Sequence, residues 1–581
     1  MNHTNTDSTG IRRSLCSGFF EQIYRHPIFS AALVSLIGLV LSTGGVTLSN
    51  LLFISVGILA LGFAAAFFAR RFYGGEKGNL HFALILASSV ITAVLFAFAS
   101  YTTGESSAAF APVLMNGGLA VCAAVFFYLL AGNRLSARNI VLLLFAAGFI
   151  MRLSYILMMS AVMIQHDVHS LGAGAGHAGY IEYLYANGHL PDFDLREIDQ
   201  FYHPPIHHIL AALWMRLQTM IGIRYADAYE NVQVLTLFYS TLSMILSYKI
   251  FRRLKLSGSG LIAATAVIAF CPTFYIMSGS VNNDILSVTF MLGAVLNTLN
   301  WYQSRSMKHI VYIALCVGFG MITKLSVWMV APAIGFVFIY VFFTNLKDLK
   351  KYLLQYAVFI IICAPIGLFW AVRGFLRWQI PFTYVPRLSE TSSQFVGNVP
   401  LLQRFFDFSP YQYADVAPQF TMYGGSYNEF NPLIGFFKTS LFDEGIAVRR
   451  FPQLVGFSHA LFFAAVLLGL AAFGAMIYLF IKRSETIKLV HKCFIGLLYF
   501  VIFGMYLIFC VSFPHVCTMN VRYGVLLIVI GALSLGYLTG QLMKSRKKAA
   551  KAFGIVLSSL IAVYALCGFM VYHICADALA C

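Results

Sequence analysis

An all-α polytopic membrane protein is the fold class this sequence predicts, with about fifteen transmembrane helices. Three observations carry that expectation. Of the 581 residues, 60% are hydrophobic and 10% charged, and the mean hydropathy is +0.79. Soluble domains run at about 45–50% apolar and about 25% charged. Apolar runs near the ~20 residues that cross a bilayer recur along nearly the whole chain. Lys/Arg-rich segments between them alternate with others, such as 45–49, 102–109, 278–283 and 512–519, that have no Lys or Arg. This composition excludes a soluble enzyme, a disordered chain and a disulfide-stapled secreted domain.

The apolar runs are 27–44, 50–69, 80–101, 110–131, 139–163, 229–250, 260–277, 284–302, 309–323, 325–343, 353–372, 453–481, 493–511, 520–540 and 552–573. The first follows a polar segment with Arg12, Arg13 and Arg25 and no convincing cleavage site, so it reads as a retained span. Basic clusters such as Arg70/Arg71, Arg134/Arg138, Arg252/Arg253, Lys347/Lys350/Lys351, Lys482/Arg483 and Lys544/Arg546/Lys547/Lys548 fall on alternate connections. Those connections are then cytoplasmic by the positive-inside rule. The N-terminus is expected inside, the C-terminus outside, in a multi-pass cell (plasma or inner) membrane protein. The formal net charge of +17 has the same origin, so nucleic acid is not implied. Counting 206–222 as a span would invert every later loop. It is expected instead as an amphipathic helix at the outer interface, with His207, His208, Arg216 and Gln218 on it. Most of the 11 cysteines lie in apolar runs as small hydrophobes, and there is no CxxC pair. A Cys575–Cys581 bridge is open.

Two outer loops, 164–228 and 373–452, are long enough to expect function there. The first gathers seven of the 15 histidines between His166 and His208. Asp167 sits just beyond the span 139–163. A carboxylate there is either a solvated loop acid or a general base for a substrate hydroxyl. His166, Asp167 and His169 have metal-ligand chemistry, so a divalent cation is left open as cofactor. His177 and Glu182 belong to the same loop. Tyr202-His203-Pro204-Pro205 starts the interfacial helix, as punctuation or as a phosphate contact. Asn283 and Asp284 open a span, as caps or as site groups. Lys324 stands between two spans, Arg373 opens the second loop, and Arg522-Tyr523 open a late span. These cations either snorkel or bind a lipid phosphate. Arg152 lies mid-span, where charge is expensive and usually partnered. The second loop is aromatic-rich, with Trp378, Phe405, Phe406, Tyr411, Tyr423 and Tyr427.

The order of these motifs resembles the GT-C superfamily of membrane glycosyltransferases. It is a span, an acid at its outer end, Y-H-P-P, N-N-D, T-K, an Arg-led loop and N-V-R-Y. It is most similar to the bacterial protein O-mannosyltransferase and aminoarabinose transferase branch (family thirty-nine-like). The resemblance covers roughly 139–540. It implies a GT-C-like catalytic membrane domain, 139–573, with juxtamembrane helices, preceded by four accessory spans in 1–138. It implies a polyprenyl-phosphate sugar donor, inverting transfer at the extracytoplasmic face, and an acceptor hydroxyl on a protein, glycolipid or wall polymer. Asp167 matches the family's base. His203, Lys324, Arg373 and Arg522 match positions near the donor phosphate, and Asp284 an acid of varying role. Phe437–Phe442 (FKTSLF) matches a recurring segment of unclear role. Val168 departs from the second acid found after the first in many relatives, which weakens a bidentate metal reading. The competing classes are a secondary transporter or lipid flippase, which calls for repeated halves that are not seen, and a non-catalytic assembly subunit.

Overall fold

The computed structural model describes residues 107–161, 167–416, 429–442, 452–482 and 487–580, together with Ala66. The expected spans 27–44, 50–69 (Ala66 excepted) and 80–101 lie outside the described residues, as do His166, Tyr423, Tyr427 and Cys581. The accessory division at 138 therefore rests on sequence.

Among the described residues every regular element is helical. In chain order these are α1 Ser107–Ala131, α2 Ala137–Met158, α3 Gly176–Asn187, α4 Ile206–Met220, α5 Tyr225–Glu230, α6 Gln233–Arg253, α7 Gly258–Phe270 and α8 Pro272–Gly279. Then follow α9 Asp284–Ser304, α10 Met307–Met321, α11 Ala331–Thr344, α12 Leu349–Trp378, α13 Leu401–Phe406 and α14 Pro432–Leu441. The chain closes with α15 Pro452–Ile481, α16 Leu489–Ser512, α17 Val525–Lys544 and α18 Lys548–Ala580. Eleven stretches among the described residues are long and apolar enough to cross a membrane. They coincide with eleven of the expected spans. The twelfth, 309–323, is the shorter apolar helix α10. The count of fifteen is not reached among the described residues.

The helices pack on small residues. Gly260 of α7 meets α17 so closely that an added Cβ would lie 2.3 Å from the Gly536 carbonyl oxygen. Without a hydrophobic force between helices in lipid, such approach supplies the van der Waals contact. Gly148 of α2 touches Ala269 of α7 in the same way, at 3.0 Å.

Arg152 explains itself at that crossing. Cys271 is extended and Pro272 starts α8, so the single expected span 260–277 is broken in two. Pro272 has no N–H for the Ile268 carbonyl, and the bend also strands that of Ala269. Arg152 donates to both, at 3.1 Å each, and to Gly148 O at 2.7 Å and Ser240 Oγ at 3.0 Å. Buried backbone acceptors are met by the one side chain with five donors.

Two boundaries differ from expectation. The helix α12 runs on to Trp378, so Arg373 and Arg377 sit in its last turns rather than at the start of a loop. The late span begins at Val525, because 516–519 and 521–523 form two short 3-10 turns, the second capped by Asn520. Propensity and hydropathy do not see either end, since Arg stems are compatible with a helix and Val521 is apolar.

At the loop end, α3 and α4 pack on one another beside a second apolar core that includes Tyr180, Phe201, Met215, Tyr229 and Trp370. The face α4 turns inward holds His207, His208, Ala211, Ala212, Met215 and Gln218. Its exposed face holds Leu210, Leu213, Leu217 and Met220. That polarity suits a helix lying on a lipid surface, as expected for 206–222.

Candidate active site

Asp167 and His169 are both in the left-handed region, with φ 59° and 60°. This folds the segment back over the start of α3. His177 N donates to Asp167 O at 3.1 Å and Ala178 N to Val168 O at 3.0 Å. Gly176 (φ +74°) permits the approach, because a Cβ there would lie 2.4 Å from Val168 O. The Asp167 carboxylate is thereby held beside α17's leading turn. Arg522 donates to it at 2.6 Å.

Four charges meet here. Arg522 also lies 3.9 Å from the Asp284 carboxylate. Lys324 donates to the other Asp284 oxygen. Asp284 starts α9, preceded by Asn283, whose amide donates to Thr323 O at 2.8 Å and so ties α9 to the Lys324 bend. Lys324 itself is extended (φ −152°, ψ 124°) between α10 and a 3-10 turn, Leu325–Val330. Burial pulls Lys324 below the ordinary lysine value, and Asp284 opposes that. Tyr523 closes the group. Its hydroxyl is 2.8 Å from Arg522, and its ring lies 5.2 Å from the Lys324 ammonium and 5.0 Å from the Arg522 guanidinium.

Histidines form the adjoining wall. His177 stacks on His203 at 5.1 Å and shares a hydrogen bond of 2.8 Å with His208. Burial, with the Lys324 charge second, pushes His203 down to about 3. Burial likewise pushes His207 down to about 4. His203 therefore faces the site as neutral imidazole. Trp370 of α12 donates to Tyr202 O at 2.9 Å and fixes that loop against the bundle.

These residues line one cavity of about 340 Å³. Its polar floor is Asp167, His177, Tyr202, His203, Asn283, Asp284, Lys324, Arg522 and Tyr523. Most of the rest is an apolar wall from the end of α10, the 3-10 turn, α12, the 380–385 segment and α16, with Met321, Leu325, Trp328, Trp370, Ile380, Phe382 and Phe509 among its residues. Trp328 and Phe382 are partly exposed, so the wall reaches the molecular surface.

Three sequence candidates are not in this cavity lining. Arg373 bonds the Pro191 carbonyl and stacks between Trp370 and Trp378 at 5.0 and 4.8 Å. Glu182 accepts from Gly172 N and from the Tyr225 hydroxyl, closing the loop on α5. His169 pairs with Asp199 at 3.1 Å in an exposed position. Of the metal set, then, Asp167 faces Arg522, His169 faces Asp199, and His166 is outside the described residues. Among the described residues no three His, Cys, Asp or Glu converge as ligands. The sequence reading missed Trp370 and the 380–385 wall. A tryptophan inside an apolar span carries no signal of its own, and 380–385 has no motif.

Fold and site together define a class: a multi-pass helical protein with a charged cavity at one end, walled on one side by apolar groups. Residues 202–370 match the family model described as dolichyl-phosphate-mannose-protein mannosyltransferase. That stretch holds Tyr202, His203, Asn283, Asp284 and Lys324, so the resemblance read from the motifs is borne out over it. Asp167 and Arg522 lie beyond it. Among solved structures, the chain is similar to the archaeal oligosaccharyltransferase AglB from Archaeoglobus fulgidus in complex with an inhibitory peptide and a dolichol-phosphate (16% identity, TM-score 0.42). It is also similar to the oligosaccharyltransferase of that organism in its apo form (17%, 0.43). Each alignment covers 76% of this chain and 56% of the other, so the chain spans little more than half the length of those proteins. No curated protein matches it in sequence.

Proposed function

We propose that this chain is a membrane glycosyltransferase that moves a sugar from a polyprenyl-phosphate carrier to an acceptor hydroxyl at the extracytoplasmic face. One observation carries the reading: Lys324 and Arg522 sit together at the foot of an apolar wall, beside Asp167. A lipid-linked phosphate needs that combination of fixed cations and apolar contact. The family match over 202–370 supports a lipid-phosphate donor, and the charge alternation of the loops supports the orientation.

In this scheme the donor phosphate seats on Lys324 and Arg522, with neutral His203 and Tyr523 as further hydrogen-bonding groups. The phosphate competes with Asp167 for Arg522 and frees the carboxylate. Asp167 takes the proton from the acceptor hydroxyl as that oxygen bonds the anomeric carbon. The carbon–phosphate oxygen bond breaks on the opposite face, and its electron pair leaves with the lipid phosphate. The configuration inverts. Arg152, the mid-span charge a transport path would have used, is engaged by helix carbonyls.

The test is transfer itself. Purified protein in lipid vesicles is given a panel of labelled polyprenyl-phosphate sugars with candidate protein, glycolipid and wall-polymer acceptors. Release of polyprenyl phosphate coupled to a labelled acceptor is expected with one donor. Movement of intact donor across the bilayer without sugar release would replace this reading with transport.

A further inference from the structure

The segment Phe437–Phe442 has no part in the cavity lining, yet it is tied to the turn that carries Arg522. Its helix α14 starts with Asn431 as cap, accepting from Leu433 N and Ile434 N. Its far end is anchored in the bundle. Thr273 of α8 donates to Ser440 O at 2.8 Å, and Tyr572 of α18 donates to Leu441 O at 2.9 Å. Lys438 and Glu429, both buried, pair at 2.5 Å. The other side of α14 lies directly on the 516–524 turns. A Cβ on Gly435 would come 2.8 Å from that of Met519, and one on Gly524 would come 2.9 Å from the Phe436 ring. Tyr506 bridges the two by hydrogen bonds to Pro432 O and Met519 O. At the centre, Thr439 Oγ1 donates to Gly435 O and accepts from Val521 N, both at 2.8 Å.

We infer that Thr439 is a positioning residue for Arg522, holding the neighbouring Val521 amide so that the guanidinium stays between Asp167, Asp284 and the donor phosphate. Locally the turn is held by Arg522 N donating to Asn520 Oδ1 at 3.0 Å, Tyr523 N to Asn520 O at 3.3 Å and Gly524 N to Val521 O at 2.7 Å. A 3-10 turn of three residues is weakly determined by itself. Alongside the Tyr506 bond to Met519 O, the hydroxyl of Thr439 is the long-range restraint made to the amide next to Arg522, and α14 transmits it from α8 and α18. The functional consequence rests on the transferase reading above. The restraint on the turn does not.

The experiment compares wild type, Thr439→Val and Thr439→Ser in lipid, with Thr439→Ala as the smaller change if Val does not fold. Hydrogen exchange of a peptide spanning 516–527 reads the restraint. The Val variant is expected to exchange about tenfold faster there, and Ser to match wild type. Steady-state kinetics with the active donor read the consequence. The Val variant is expected to lose about ten- to a hundredfold in kcat with a raised donor KM. Its melting temperature falls only by the cost of one unmet amide, and Ser rescues both constants. A purely structural role would lower the melting temperature and leave KM and kcat per folded molecule unchanged. Unchanged exchange at 516–527 overturns the inference, and so does faster exchange with unchanged kinetics. A wild type that turns over no donor overturns the transferase reading and, with it, the role of Thr439 in donor binding. The exchange arm then reports separately on whether the turn is held.

Discussion

A charge at mid-bundle depth has to be met by something, and for Arg152 the partners are carbonyls released by a proline in another helix. Replacing it by Met leaves the Ile268 and Ala269 oxygens unmet. Each is expected to cost about 1–3 kcal/mol. Thermal unfolding in detergent or nanodiscs should show a clear drop in melting temperature, with donor affinity per folded molecule unchanged. An unchanged melting temperature would mean the carbonyls have other partners. The sequence marked Arg152 as expensive. It did not show Pro272 as the reason, because the two are far apart in the chain and nothing local links them. The same limit applies at the cavity floor. Asp167, His203, Asp284, Lys324 and Arg522 were legible as polar residues at span ends of one polarity. That Arg522 bonds Asp167 was not, since the pair is joined only by packing. Arg373 and Glu182 had the same sequence credentials as their neighbours, and folding turned them onto Pro191 and Tyr225 instead.

At the scale of elements, α4 and the loop before it are sensitive to acid. Burial holds His203 and His207 at about 3 and about 4, and pushes His208 down as well. The unfolded chain takes up these protons first, near an ordinary imidazole value of about 6.5. The stability these residues contribute is therefore intact above about 6.5 and is lost as pH falls towards their folded values. Hydrogen exchange over 200–220, corrected for intrinsic rate, should accelerate between pH 7.5 and 5 and recover on return to neutral. Exchange unchanged by pH would contradict the burial of these rings. The α7–α17 contact makes a second prediction. Gly536→Val places a side chain where the Gly260 carbonyl already lies 2.5 Å from a Cβ. The helices must separate, and overpacking of this kind costs about 1–3 kcal/mol or more. A melting temperature equal to wild type would contradict so close a crossing. Hydropathy located every described span, because length and apolarity are local. It placed the ends of α12 and α17 wrongly, because helix ends depend on caps and turns that hydropathy averages away.

Taken whole, the molecule places its chemistry where several segments meet. The 167–203 loop brings one acid and the histidines, α9 the second acid, the α10–α11 bend a lysine, and the turn before α17 an arginine. The wall from α12, the 3-10 turn and α16 would give the lipid tail of the proposed donor apolar contact. Membrane class, the alternation of loops and the set of candidate residues could be read from the sequence. The cavity shape and the apolar wall could not, since they belong to no single segment. The transfer reaction asks one thing of Asp167 that no binding or scaffold role would: it must accept a proton. The decisive comparison is Asp167→Asn against wild type, measuring donor affinity and turnover on the same preparation. Amide for carboxylate removes the base and one competitor for Arg522, so donor binding is expected to be unchanged or tighter. Turnover is expected to fall by about 10²–10⁴. Turnover by Asp167→Asn at the wild-type rate would contradict the assignment of Asp167 as the base.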